Sequence, residues 1–402
     1  MSKLEKLIQQ YCPDGVEYHP LWSLTAWDKK FNGIDKSKQK RVIKYNYLLA
    51  ADLKSYQVDE GTVKLLTTNI SNLYTSEELA GDLASEGEVV AIPWGGNPIV
   101  QYYKGRFLTA DNRIATSLDT NNLNNKFLYY CMLSQMKLIS SFYRGSGIKH
   151  PEMAKVLDLE IPVPPLPVQE EIVRVLDAFT ELQAELQAEL QAELQKRKQQ
   201  YNFYRDNLLN FKDINRGGQE IKWMEMSEIG NNLDKKRKPI TAGKRESGQI
   251  PYYGASGIVD YVKDYLFDGD YLLVSEDGAN LLTRTYPIAF SIHGKTWVNN
   301  HAHVIEFKER ATRKYVEYYL NSIDLSPWIS AGAQPKLTQD SLNKLTIPVP
   351  PLAEQLRIVS ILDRFDTLTN DLTSGLPAEM EKRRQQYEFY RDKLLTFKRK
   401  EA

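Results

Sequence analysis

Residues 161–211 and 347–397 are two copies of one segment. The first reads IPVPPLPVQEEIVRVLDAFTELQAELQAELQAELQKRKQQYNFYRDNLLNF, the second IPVPPLAEQLRIVSILDRFDTLTNDLTSGLPAEMEKRRQQYEFYRDKLLTF. They align without a gap at an offset of 186, and 29 of 51 positions are identical. Duplication on this scale dictates architecture before any local propensity is weighed. The stretches preceding the two copies are far less alike. The chain is therefore one plan used twice: a globular domain, a proline-rich strap and a long helix, then the same again.

Each strap, Ile161–Pro165 and Ile347–Pro351, reads as a stiff extended linker, because its prolines forbid a helix interior. Between Val168 and Phe211 there is no Gly or Pro, only strong helix formers. About 44 residues of helix would span roughly 66 Å. Inside it lies a four-residue repeat, TELQ-AELQ-AELQ-AELQ, over residues 180–195. Its leucines, Leu182, Leu186, Leu190 and Leu194, form a stripe that drifts about 40° per repeat. Tyr201 and Tyr204 continue the apolar seam. Such a seam needs a partner, and the second copy offers Leu368, Leu372, Tyr387 and Tyr390 at matching or continuing positions. Gly375 and Pro377 are expected to interrupt that helix. Antiparallel pairing within the chain would place one globular domain at each end, related by a pseudo-two-fold axis; a coiled coil between chains is the alternative.

At 402 residues the chain exceeds one hydrophobic core. No stretch approaches the ~18 apolar residues of a membrane span, and the first residues lack a signal-peptide core. Only Cys12 and Cys131 are present, too few for a disulfide framework or a cysteine zinc site. A cytoplasmic protein is expected. The 52 basic and 52 acidic residues cancel, yet the basic ones cluster. Segment 29–44 carries seven Lys or Arg against one Asp, and segment 233–246 carries six against two. One such run in each globular half suggests a phosphate-facing surface.

Catalytic signatures fail. His293-Gly-Lys-Thr296 lacks the upstream glycine of a phosphate loop, because residue 289 is Ala. No G-x-G-x-x-G occurs, and Val163-Pro-Pro-Leu166 lacks the amide and aromatic of an adenine methyltransferase motif. His301 and His303 would share a strand face, but no third metal ligand is legible beside them. The chain reads as non-catalytic.

What remains is recognition chemistry. Both halves interleave Gly/Asn-rich turns with aromatic and basic residues, types that contact base edges and phosphates. In the first half the candidates are Lys36, Lys38, Lys40, Arg41, Trp94, Asn97, Tyr102, Lys104, Asn112, Arg113, Arg144, Lys149 and His150. In the second they are Lys235, Lys236, Arg237, Tyr253, Ser256, Asn280, Arg284, Asn300, His301, Gln334 and Lys336. Short strands are expected around 62–70, 87–94, 97–103, 271–277, 285–292 and 295–307, with helices near 1–11, 126–143 and 313–323. An offset of 188 places Lys126-Phe127 on Lys314-Tyr315 and Asn112 on Asn300.

Two unlike domains alternating with IPVPPL…ILDxF…QQYxFYRDxLL segments resemble the specificity subunit of a type I restriction–modification enzyme, and the ELQA run is similar to the spacer repeats of the type IC group. The resemblance implies an α+β chain with two target-recognition domains joined by two long antiparallel conserved helices of pseudo-two-fold symmetry. Residues 1–160 would be the N-terminal helix and first recognition domain, 161–211 the first conserved region, 212–346 the second recognition domain and 347–402 the second conserved region. It also implies that each domain reads half of a split site on double-stranded DNA, and that the helices set the spacing and dock two methyltransferase subunits. Restriction–translocase subunits would complete the complex. S-adenosylmethionine, ATP and Mg2+ would belong to those partners, with no cofactor or metal in this chain. Helix 1–11 would pack beside the C-terminal conserved segment. A scaffold with protein-binding ends is the alternative reading. A self-sufficient methyltransferase is disfavoured by the missing motifs.

Overall fold

A computed structural model describes residues 2–39, 41–211, 221–330, 334–371 and 373–401. Lys40 and Leu372 lie outside these. The chain divides into two compact units, residues 1–188 with 381–402, and residues 189–380. Both are built on one topology.

In the first unit a six-stranded sheet runs in the order Thr25–Trp27, Asn112–Ser117, Ser85–Pro93, Gln101–Thr109, Val63–Leu66, Tyr74–Thr75. In the second the order is Asn231–Asn232, Ala302–Glu306, Phe267–Ser275, Ala289–Val298, Ser247–Gly254, Gly257–Val262. Each sheet is antiparallel except at one junction, Val63–Leu66 on Gln101–Thr109 and Ser247–Gly254 on Ala289–Val298. The strand expected at 97–103 begins only at Gln101, and Trp94–Val100 is loop. The run 295–307 is likewise broken, because the Asn299 side chain accepts from the His301 amide and turns the chain. The helix expected at 126–143 divides at Gln135 into Asn125–Ser134 and Met136–Ser141.

The offset of 188 holds for the helices: Phe127 and Tyr315 are both fully buried. It fails at the neighbouring strand. Arg113 pairs with Ile92 as His303 pairs with Val274, so the offset there is 190 and Asn112 corresponds to Ala302, not Asn300.

Each strap is more than a linker. Glu160–Pro162 pairs antiparallel with Tyr18–Pro20, and Thr346–Val349 with Lys222–Glu225. That ladder buries Ile161 and Ile347 completely, worth roughly 1.5–3 kcal/mol apiece. Gln169 then donates to the Pro164 carbonyl at 2.7 Å, and its repeat-mate Gln355 to Pro350 at 2.8 Å. One more contact recurs: Tyr130 donates to Asp177 at 2.7 Å and Tyr318 to Asp363 at 2.6 Å. These bonds fix the direction in which each helix leaves its sheet.

The first helix is continuous over Leu166–Leu209, 44 residues. It tolerates Pro167 because no intrahelical N–H is required in the first turn. The second copy divides into Leu352–Asn370 and Leu376–Leu394. At the break the Asp371 carboxylate accepts from the Thr373 amide and hydroxyl and from the Ser374 hydroxyl. A side chain on Gly375 would come within 2.5 Å of the Thr367 carbonyl oxygen. Within each unit the copies run antiparallel. In the first, Thr180 and Tyr387 hydroxyls bond at 2.8 Å. In the second, Tyr204 stacks on Phe365 at 5.4 Å, with Tyr201 beside it. The leucine stripe drifts as its spacing requires, from Leu182 at 62% exposed to Leu194 at 7%. Leu368 stays 37% exposed and Tyr390 44%, so they do not close a seam.

The N-terminal helix, Lys3–Tyr11, buries Leu4 in one cluster with Leu395, with Phe397 packed against it, as the resemblance implied. Val16 exchanges backbone hydrogen bonds with Lys398 and Lys400. Only glycine fits at 15, where a Cβ would lie 2.5 Å from the Lys398 carbonyl oxygen and φ is +103°. Lys3 also reaches Glu171 at the start of the long helix, 2.7 Å away. Hydrogen bonds from Arg174 and Lys3 hold the Glu171 carboxyl down at about 2. A carboxylate so depressed contributes stability above its ordinary range, and that contribution is lost as pH falls toward the folded value. Glu171→Gln should therefore lower the melting temperature at pH 6, while the gap to wild type closes between about pH 4.5 and pH 2. Thermal melts across that window check it.

Candidate nucleic-acid interface

In both units the central strand, its neighbour and two loops converge at one end of the sheet. In the first unit Ser85–Pro93 runs out into Trp94, whose amide donates to Asp111 O at 2.7 Å. Gly96 N–H bonds Lys149 O, and the His150 ring bonds Trp94 O at 2.7 Å. In the second, Phe267–Ser275 runs out into Glu276, whose amide donates to His301 O at 2.9 Å. Gly278 N–H bonds Pro335 O, and Leu337 N–H bonds Glu276 O. The loop after the central strand is thus laced to the loop ahead of the strap in each case. The basic segment enters at the same end, since Asp28 directly follows the sheet's first strand and Asp234 follows its counterpart after one residue, Leu233.

Both acids are buried, and their surroundings differ. Asp28 accepts from Ile114 N–H at 2.9 Å and Tyr47 hydroxyl at 2.7 Å, with the Arg113 guanidinium 3.8 Å away. Burial outweighs these contacts and raises its pKa. Asp234 accepts from Val304 N–H at 2.9 Å and the His303 ring at 2.5 Å, and Arg237 adds a bridge at 3.1 Å. Here burial is overcome by the His303 bond and the charges of His303 and Arg237, and the pKa is lowered. Glu276 is lowered likewise: burial opposes, but bonds from Arg237 and Lys336 prevail. The carboxylates of Asp234 and Glu276 and the His303 ring could in principle share a metal, their ligand atoms lying within 4.8 Å of one another. Arg237, bonded to both acids, already supplies the positive charge there.

The chain matches the profile of the type I restriction modification DNA specificity domain twice, over residues 30–196 and 219–382. It belongs to that family. It is 32% identical to the type I restriction enzyme EcoR124I/EcoR124II specificity subunit of Escherichia coli, over all of this chain and 98% of that one. It is 41% identical to a putative type I specificity subunit of Haemophilus influenzae, over 44% of this chain and 47% of that one. Its fold matches a chain from a solved structure on complex assembly and conformational transition of the type I R-M system, with TM-score 0.59, 15% identity, and 95% and 98% coverage. The two profile matches begin and end within the two repeats of the specificity-subunit plan. No described helix is long and apolar enough to cross a membrane.

Against this family background the sequence candidates separate. Asn97, Lys149 and His150 in the first unit, and Lys235, Lys236, Ser256, Asn300, His301 and Gln334 in the second, are exposed and belong to the convergent end or its loops. Lys36 and Arg41 are exposed on the basic segment; Lys38 there binds Asp158 at 2.5 Å. Lys336 is half-exposed and bonded to Glu276, and His301 to Asp277. Arg144 pairs with Glu152 at 2.9 Å.

Several candidates are structural instead. Asn112 is fully buried, its amide donating to Leu66 O and Thr67 O, so it closes a loop rather than facing solvent. Arg113 is 7% exposed, sandwiched between Asp28 and the Trp94 ring at 4.1 Å. Arg237 is consumed by the two buried acids. Arg284 donates to Leu320 O and Ile323 O, capping the helix Arg310–Ser322. Asn280 bonds the Tyr286 backbone through both its side-chain atoms. Tyr102 packs on Tyr129 and bonds Glu88, and Lys104 sits mid-strand beside the same Glu88, away from the convergent end. Tyr253 packs on Phe290. Asp28, Tyr47 and Asp234 escaped the sequence reading, and His303 entered it only as a possible metal ligand, because residues up to 86 positions apart meet there.

Proposed function

We propose that this chain is the non-catalytic DNA-recognition subunit of a type I restriction–modification complex. The observation that carries this reading is the twice-built sheet end: the same loops, laced the same way, flanked by a basic segment, but presenting different side chains. That suits two readers of two different half-sites. Residues 1–160 and 212–346 are the readers, and 161–211 and 347–402 the frame between them. Exposed residues of the convergent ends approach bases and phosphates of double-stranded DNA.

The frame also offers two equivalent docking faces. Phe203 is 65% exposed and its repeat-mate Phe389 62%, and Tyr204 and Tyr390 match at 45% and 44%. Large aromatics held on the surface at equivalent positions favour two copies of one partner, here the methyltransferase subunits. These bring S-adenosylmethionine, while nuclease–translocase subunits bring ATP and Mg2+; the assembly works in the cytoplasm. A salt titration tests the reading. If six or more phosphates are neutralised, the affinity of the assembled complex for its site falls about a thousandfold between 50 and 200 mM salt. A flat response would favour a protein-binding scaffold.

A further inference from the structure

The two units share a buried pair that the repeat alignment does not reveal. Arg113 and His303 occupy the same strand position, opposite Ile92 and Val274. The next residue in each, Ile114 or Val304, gives its amide to the buried acid, Asp28 or Asp234, at 2.9 Å in both. The acid comes from different backbone positions: the backbone of Asp28 itself bonds Ile114 O, whereas Leu233 makes that bond to Val304 O and Asp234 follows. Two different local sequences thus converge on one buried acid with a basic side chain beside it, where the basic segment leaves the sheet.

In the second unit the ring is fixed by its partners. The His303 ring bonds Leu337 O through Nε2 at 2.8 Å, and a carbonyl can only accept. Its Nδ1 faces the Asp234 carboxylate at 2.5 Å, so both ring nitrogens are held by oxygen atoms of two different loops. Around it stand Glu276 at 3.8 Å, Arg237 on Asp234 and Glu276, and Lys336 on Glu276. Three loops meet on this one fully buried ring: 234–238, 276–280 and 334–337.

We propose that Asp28–Arg113 and Asp234–His303 are equivalent positioning pairs, each orienting the reading loops of its own unit and so fixing the half-site that unit accepts. This rests on the recognition function above. The pairs touch no DNA themselves; they act through Lys235, Lys236 and Asn300 in one unit and the loops at Asn97 and Lys149 in the other.

The test is an adenine-methylation map from cells making the full chain with its methyltransferase subunits. His303→Gln should lower discrimination against single-base changes in one half-site about tenfold or more, leaving the other half-site intact. Arg113→Gln should do the same to the opposite half. His303→Arg, which places the first unit's residue at the matching strand position, should restore discrimination; a merely volumetric role for the ring would not predict that. Should His303→Gln abolish methylation, Asp234→Asn/His303→Gln removes the uncompensated carboxylate as well. Methylation regained with one half-site altered supports the proposal, and no recovery overturns it. Unchanged discrimination, changes in both halves at once, or His303→Arg behaving like His303→Gln would also overturn it. If the wild-type chain directs no sequence-specific methylation, the recognition function fails first and the proposal falls with it.

Discussion

A chain lacking one four-residue repeat, Ala184–Gln187, is expected to direct methylation to a site whose two halves are unchanged in sequence but closer together. Deleting four residues from a continuous helix shortens it by about 6 Å and turns it by about 40°, and 6 Å is about two base pairs at 3.4 Å each. The helix tolerates this because the repeat is interchangeable with its neighbours. Leu186 and Leu190 are both half-buried, and removing one repeat slides the next leucine into its place. Core packing lies at Val168, Ile172 and Leu176 on one side and Leu208 and Leu209 on the other, and within the repeats at Leu194, beyond the deleted residues. Methylation mapping of the shortened chain reads the result as a new spacer. An unchanged spacer would sink the idea that this helix is the ruler.

Replacing residues 21–159 with the matching segment of another specificity subunit should alter one half-site completely and leave the other half and the spacing as they were. The boundaries follow from the backbone. Tyr18–Pro20 and Glu160–Pro162 form one ladder, and Tyr18 also holds the Phe397 carbonyl at 3.0 Å. A graft that begins at 16 would replace the buried Val16 side chain and the Tyr18 hydroxyl that holds Phe397. A graft that begins at 21 keeps them. Because the strap ladder is held by main-chain hydrogen bonds, it is indifferent to the incoming side chains. A change in both half-sites on the methylation map would contradict independent readers.

The frame was legible in the sequence because the duplication exposed it. Gln169 and Gln355, or Tyr130 and Tyr318, do the same work at matching positions. The helix break at Gly375 and Pro377 was equally readable, since those residues resist helix for local reasons. The reading surface was not. Arg237 sits in a run of four basic residues, yet a single 3-10 turn at Asp234–Lys236 directs it inward while Lys235 and Lys236 stay outside. Asn112 and Arg113 have the composition of base readers, but strand pairing buries them. Burial decided by partners 40 to 90 residues away leaves no periodic trace in a single sequence. The offset shift from 188 to 190 between helix and strand had the same effect, hiding the kinship of Arg113 with His303.

The closure of the first unit by the C-terminal residues has a bearing on how the chain matures during synthesis. Residues 189–380 are contiguous, so the second unit can fold as soon as it leaves the ribosome. The first unit is translated earlier but stays open at Leu4, Ile8 and Val16 until Leu395, Phe397 and Lys398 arrive. The N-terminal domain is therefore the last to be completed. A chain that stops short of residue 395 would carry a finished second unit and an unfinished first one with apolar surface exposed, a ready mark for proteolysis. Synthesis through residues 395–400 becomes a condition for a closed first unit.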